Sequence, residues 1–316
     1  MWGVNAEGTM KKKLATLLFF ACGRAFSYML AGEEPLSTQK DICYEKFLKE
    51  CKVQKRELNS LINDVKNDLQ STLQQEMFKF QKGSLNAIKK EVLKLEGFLR
   101  ESWFANVFNS STSSCEWLKG TDFCPSGFAA NFSYLYVLFR FLNDFNPTSI
   151  LEFGPGQTSR MLSRYVDLKN KNAAVYVVEH NPAWIDFIQK NKLVSDSIKI
   201  LLMPLKEVGC EGYTTKVYEG LRDHLKGMKF DLVMVDGGDT STRYSRTSVL
   251  ELIPENLHPS FVIIIDDFNR PGEKDTAQLL VKKLDDYKIK YFAGVYKGLR
   301  EQKVIVSEDL YFGTHM

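Results

Sequence analysis

The sequence predicts an α/β fold: a mostly parallel sheet of seven strands, closed by a terminal antiparallel hairpin and preceded by a long helical N-terminal arm. Three observations predict it. From about residue 126 onward, short apolar runs alternate with amphipathic stripes, the pattern of a parallel sheet covered on both faces by helices. The last two apolar runs, near 290–296 and 302–307, are joined only by Lys297–Glu301, and so short a connection demands antiparallel pairing, because a parallel crossover takes about a dozen residues or more. From about Thr38 to Trp103 the chain nearly lacks glycine and has no proline, which favours uninterrupted helix.

Taken in order, residues 1–37 form a basic and apolar segment. Met10-Lys11-Lys12-Lys13 precedes an apolar stretch from Leu14 to Ala31, like the basic and apolar parts of a signal peptide. Gly23-Arg24 interrupts that stretch, no small-residue cleavage site follows, and a charge near the middle disfavours a membrane span. A helix lying on a membrane or on the protein is the preferred reading, with an anchor as its rival. Residues 38–108 form the arm. Leu58, Leu61, Ile62, Val65, Leu69 and Leu73, then Leu85, Ile88, Val92, Leu95 and Leu99, recur at three- and four-residue steps, the stripe of an amphipathic helix. Gly83 either divides it into a helical hairpin or only weakens one long helix. The stripe suits a spacer packed on the domain that follows, or a coiled-coil arm joining like chains into a homo-oligomer; self-association of the helices is preferred.

Residues 109–125, with the run Asn109-Ser110-Ser111-Thr112-Ser113-Ser114, read as a linker. Residues 126–316 form the main domain. It opens with an aromatic-rich helix around Phe128–Phe141. Strands are expected at 149–153, 174–179, 198–203, 230–235 and 261–266, before the terminal hairpin. Helices are expected at 158–168, 182–192, 214–226, 244–256 and 274–287.

The chain of 316 residues is 44% hydrophobic and 26% charged, within the range of globular proteins. Its formal charge of +3 is too small to draw nucleic acid by itself, and no basic-aromatic stripe appears, so nucleic acid is not an expected partner. Six scattered cysteines form no CxxC pair. The expected setting is therefore reducing and cytoplasmic, with contact to a membrane surface through the N-terminal segment; Cys115 and Cys124 would pair only in an oxidising place.

Two stretches carry the chemistry of a ligand crevice. The first is LEFGPGQTS at 151–159, a strand ending in Glu152, a turn with Gly154 and Gly156, and a helix start. Glycines let backbone approach a ligand closely, and the N–H groups of the helix start face the same ligand. The second is VYVVEHNPAW at 175–184, where Glu179 ends the next strand. An acid about 20 residues beyond a glycine turn is where nucleotide-binding folds hold ribose hydroxyls. Two further strands end in FDLVMVDGGD (230–239) and FVIIIDDFNR (261–270). Their Asp236, Asp266 and Asp267 fall at carboxyl ends of parallel strands, the ligand-binding edge of an open sheet. Carboxylates so placed repel unless a cation or a proton joins them, and oxygen donors suit Mg²⁺, Ca²⁺ or Mn²⁺.

With seven strands, a glycine turn after the first, an acid after the second and a terminal hairpin, the region 126–316 resembles the Rossmann-like class I S-adenosylmethionine-dependent methyltransferases. The resemblance implies that Glu152, Gly154 and Gly156 wrap the methionine part of S-adenosylmethionine, that Thr158 stands where the family has a third glycine, and that Glu179, with His180 beside it, holds the ribose. The two Asp motifs are similar to those of cation-dependent and sugar-modifying O-methyltransferases. That likeness implies a divalent cation on Asp236, Asp266 and Asp267, Asp236 and Asp266 at the chemistry, and a hydroxyl of a glycan or small molecule as acceptor. Asp239 stands where a histidine often follows the Asp-Gly of the sugar-acting group.

Arg243 and Arg246, in TSTRYSR, and Arg270 lie near the same edge and are candidate clamps for an anionic part of the substrate. Two other readings stay open. A nicotinamide dehydrogenase shares the glycine turn and the acid after the second strand, although Ser159 replaces the last glycine or alanine of its fingerprint. A nucleotide-binding scaffold protein could act through the helical arm alone.

Overall fold

The computed structural model describes residues 59–70, 82–125, 129–239 and 242–315, together with a few positions between 49 and 57. The basic, apolar segment at 10–31 and part of the arm, including Leu58 and Leu73, lie outside the described residues. Residues 1–85 and 86–316 are two compact units. In the first, residues 59–70 are helical, with Leu61, Ile62, Val65 and Leu69 half-buried and the intervening Asn, Asp and Lys side chains exposed. That is the burial pattern an apolar stripe at helical spacing produces. Among the described residues no helix is long and apolar enough to cross a membrane.

The second unit holds a seven-stranded sheet. Its strands are β1 (Ser149–Phe153), β2 (Ala174–Glu179), β3 (Lys199–Leu202), β6 (Phe230–Val235), β7 (Leu257–Ile265), β8 (Tyr291–Lys297) and β9 (Glu301–Ser307); β4 (Leu205–Cys210) and β5 (Tyr213–Tyr218) form a separate hairpin. The sheet order is β3-β2-β1-β6-β7-β9-β8. All pairs are parallel except those made by β9, which runs antiparallel to both neighbours. The terminal hairpin thus places its second strand inside the sheet and its first at the edge.

Side chains of each strand alternate between two buried layers, as the period of two requires. Ile150, Val175, Val177, Leu232, Met234, Val262 and Ile264 pack on one face, and Leu151, Phe153, Val178, Val233, Val235, Ile263 and Ile265 on the other. Burial on both faces explains why these strands read as continuous apolar runs rather than alternating ones. The first face is covered by α2 (Phe132–Arg140), in which Tyr134, Leu135, Val137 and Leu138 are wholly buried, and by α3 (Gln157–Arg164). The second is covered by α6 (Pro271–Asp286) through Ala277, Leu280 and Leu284.

The structure differs from the sequence reading in three places. Helix α1 runs over Lys82–Thr112 and a short turn follows at Glu116–Leu118, so the Ser/Thr-rich run begins as helix, and Gly83 falls in the first turn of α1. Phe104, Phe108, Trp117 and Leu118 belong to the main core: the second half of α1 is part of the domain. The segment 214–226, expected helical, is β5 followed by one short helical turn, α5 (Leu221–His224). Glu211 (φ 50°) and Gly212 (φ 80°) make a two-residue turn with positive φ at both positions, the hairpin turn that matches strand twist, and Thr214, Thr215, Val217 and Tyr218 favour strand. The helix expected at 244–256 shrinks to a tight turn at Thr247–Leu252, since Ile253 precedes a proline and is pushed to extended backbone (φ −98°, ψ 131°). Cys115, Cys124 and Cys210 are free thiols.

Candidate active site

The four strands that matter end level with one another. Val178, Phe153, Val235 and Ile265 lie side by side across β2, β1, β6 and β7. The ladder continues one residue further: the Gly154 N–H donates to the Val178 carbonyl at 2.9 Å, that of Asp236 to Phe153 at 3.1 Å and that of Asp266 to Val235 at 3.1 Å. The next row is therefore Glu179, Gly154, Asp236 and Asp266. Chain order reverses at β1, which lies between β2 and β6. That reversal is the topological switch point at which open α/β sheets bind ligands.

Gly154 and Gly156 have different reasons to be glycine. Gly154 has φ +83°, and a Cβ there would lie 2.6 Å from the Gly237 Cα. A Cβ on Gly237 would lie 2.5 Å from the Gly154 nitrogen, so the two strand-end loops touch backbone to backbone. Gly156 is extended (φ −163°), and a Cβ there would meet nothing within 4 Å. Its side-chain position opens onto free space at the start of α3.

Glu152 is buried, facing α3, and both its oxygens are taken. Thr158 Oγ1 donates to Oε1, and Ser159 Oγ donates to Oε2 at 2.5 Å while accepting the Gly156 N–H at 2.9 Å. Thr158 therefore fastens the turn through the acid, and Glu152 shapes the crevice from beneath instead of reaching into it. Burial pushes the Glu152 carboxyl up to about 7, against the two hydroxyl donors that pull it down. Because the folded value lies above the unfolded one, the protonated group's stabilisation is fully present below about pH 4.5 and is lost as pH rises through about 7. Glu152→Gln is expected to remove that loss. Urea unfolding at pH 4.5 and 8 should show the wild type losing about 3 kcal/mol relative to the variant across that window.

Glu179 is held by its own loop. Its Oε1 accepts the N–H groups of His180 (2.8 Å) and Asn181 (2.7 Å); Oε2 accepts no hydrogen bond among the described residues. The carboxylate is thereby fixed with one oxygen free for a ligand hydroxyl. His180 is half-buried beside it, Nδ1 lying 3.0 Å from Oε1 but without hydrogen-bond alignment. Trp184, which the sequence reading passed over, lies on α4 (Pro182–Lys190) and donates from Nε1 to the Pro155 carbonyl at 3.0 Å. It ties the helix after β2 to the glycine turn.

At the other half of the row, one ligand oxygen from each of Asp236, Asp266 and Asp267 lies within 4.8 Å of the others. Into this cluster reaches Arg246, 2% exposed. Its Nη2 donates to Asp236 Oδ1 and to Asp267 Oδ2, both at 2.9 Å, and its Nη1 donates to the Asp266 carbonyl. Burial opposes the guanidinium charge, but Asp236, Asp266, Asp267 and Glu273 together hold its pKa above the ordinary value. Burial and the neighbouring Asp266 push Asp236 well above the usual carboxylate range. Burial and Asp267 raise Asp266 too, opposed by Arg246 and by Gln302, whose Nε2 donates to Asp266 Oδ1 at 2.8 Å. Asp266 Oδ2 and the Tyr134 hydroxyl are buried and have no hydrogen-bond partner among the described residues. Burial first, then the charges of Asp236, Asp266 and Glu152, keep the Tyr134 phenol neutral.

The three arginines expected at the substrate have separate fates. Arg246 is sealed in the carboxylate cluster, so it is not a substrate contact. Arg243 is half-exposed, donating from Nε to Asp275 at 2.6 Å and from Nη1 to the Tyr213 hydroxyl at 3.2 Å. Arg270, also half-exposed, pairs with Asp267 at 3.0 Å. Asp239 is paired with Lys216 of the β4–β5 hairpin at 2.9 Å. Sequence reasoning also missed a buried polar relay: Gln302 Nε2 donates to Asn131 Oδ1, and Asn131 Nδ2 to Glu101 of α1 at 2.7 Å. Only Asn131, a capping residue type before the aromatic helix, left a signal.

This strand order, parallel but for the inserted β9, is a Rossmann-like doubly wound sheet whose switch point falls at the glycine turn. By sequence the chain matches no protein-family model and no curated protein. By structure it is similar to a Klebsiella pneumoniae protein assigned as an O-methyltransferase (TM-score 0.42, 12% identity, 66% of this chain and 98% of that one). It is also similar to a Staphylococcus aureus protein assigned as a caffeoyl-CoA O-methyltransferase (0.40, 15%, 66% and 99%). A third is the Podospora anserina methyltransferase PaMTH1 in its SAH-bound form (0.36, 15%, 73% and 97%). The fold of this chain rests on the strand order described above.

Proposed function

We propose that the chain transfers a methyl group from S-adenosylmethionine to a hydroxyl of a glycan or small molecule. The observation that carries this reading is the strand-end row at the switch point, where the turn after Gly154 leaves open space at the Gly156 Cβ position and Glu179 keeps Oε2 without a hydrogen bond among the described residues. S-adenosylmethionine supplies an electrophilic methyl on a sulfonium. Its ribose hydroxyls suit Glu179 Oε2, and the amide end of α3 suits its carboxylate.

Asp236 is the proton acceptor of this reading. It stands in the strand-end row, keeps about a fifth of its side chain exposed, and is held through Oδ1 by Arg246. It takes the hydroxyl proton while the acceptor oxygen forms its bond to the methyl carbon and the carbon–sulfur bond breaks, the electron pair returning to sulfur. Arg243 and Arg270, half-exposed at the same edge, flank the acceptor's approach. Calorimetry with S-adenosylmethionine and with NAD, each alone, tests the reading: binding of NAD and not of S-adenosylmethionine overturns it. Asp236→Asn should keep cofactor affinity and lower turnover about 10²- to 10⁴-fold. Turnover in the wild type should rise with pH as the raised Asp236 carboxyl ionises.

A further inference from the structure

We infer that Arg246 is a built-in cation, occupying the charge role that a divalent metal would take among Asp236, Asp266 and Asp267. The inference concerns the acidic side of the crevice and does not depend on the identity of the methyl donor.

Three carboxylates at this spacing ordinarily invite an ion with oxygen ligands. Here one oxygen of Asp236 and one of Asp267 both accept from a single nitrogen, Arg246 Nη2, at 2.9 Å. The same guanidinium binds the Asp266 main chain through Nη1. The side chain is buried, so admitting an ion in its place would require drawing it out of the cluster and breaking its hydrogen bonds to Asp236, Asp267 and the Asp266 main chain. The charge count agrees. Asp236, Asp267 and Glu273 lie within 4 Å of Arg246, Arg270 or Arg300, three carboxyl groups against three guanidinium groups. A divalent ion would add two positive charges to a group of ion pairs already matched in number. Arg246 is thus a positioning residue: it holds Asp236 by one oxygen and does not take the other.

The test uses the full chain and Mn²⁺ alone, followed by electron paramagnetic resonance and thermal melting. The expected result is no stoichiometric Mn²⁺ binding by the wild type at a Kd of about 10⁻⁴ M or tighter, and a melting temperature unmoved by Mn²⁺ or EDTA. Arg246→Ala, which leaves the carboxylates unpaired, is expected to gain one Mn²⁺ site and to melt higher with the ion than without. Arg246→Lys, which keeps the charge, should resemble the wild type. If Arg246→Ala does not fold even with Mn²⁺, the wild-type titration still decides. One tight Mn²⁺ per wild-type chain, weakened at least about tenfold by Asp266→Asn, would overturn the inference. Because no methyl donor is present, failure here is distinct from failure of the methyltransferase reading.

Discussion

A chain that begins at Ser126 is expected to aggregate, or to melt far below the full-length protein. The cut removes Phe104, Phe108, Trp117 and Leu118, all buried in the main core. Phe108 packs its ring against Phe123, Phe132 and Phe139, and Trp117 stacks on Phe139 with ring centroids 6.0 Å apart. Loss of one such side chain costs about 3–5 kcal/mol, so losing all four is as large as or larger than most of the roughly 5–15 kcal/mol that holds a domain folded. The cut also removes Glu101, which accepts the Leu299 N–H at 2.8 Å and the Phe132 N–H that starts α2. A chain that begins at Asn86 keeps all of these and should melt near the full-length value. Calorimetric melting of the two shortened chains checks this. A stable, soluble fragment from Ser126 would show that α1 is dispensable to the domain.

The two glycines of the turn should respond in opposite ways. Gly154→Ala forces a Cβ against the Gly237 backbone at positive φ. Overpacking costs about 1–3 kcal/mol and the left-handed backbone about 1–2 kcal/mol more. Neither neighbour can yield, because both are backbone, and the melting temperature should fall accordingly. Gly156→Leu has ordinary extended backbone and free space around its Cβ. It should leave folding nearly unchanged and abolish S-adenosylmethionine binding, since the new side chain fills the crevice. A Gly156→Leu protein that binds the cofactor as the wild type does would place the ligand elsewhere.

Much of this architecture is written in local pattern. Continuous apolar runs ending in acids mark β1, β2, β6 and β7, because strands buried on both faces have no polar side to show. The short Lys297–Glu301 connection dictates the antiparallel hairpin for reasons of chain reach alone. Gly154 is legible because few residue types but glycine adopt its positive φ. The β4–β5 hairpin was not, since its signal is only a Glu-Gly pair between strand-like residues, competing with a helix-compatible spacing further on. Nor was the full extent of the domain: a Ser/Thr-rich run looks like a linker until Phe104 and Phe108 are seen to fill the core beneath α2.

By itself, then, the sequence determined the strand order's raw material, the glycine turn and the row of acids at one sheet edge, all of them consequences of period, reach and backbone freedom. Only the tertiary structure decided what each charge does. Glu152 turned from ligand toward Thr158 and Ser159, and Arg246 turned from the substrate edge into the cluster of Asp236, Asp266 and Asp267. The physical reason is that a charge is assigned its role by burial and by its nearest partner. Asp267 and Arg246, separated by 21 residues, meet at 2.9 Å only when β6 and β7 lie side by side.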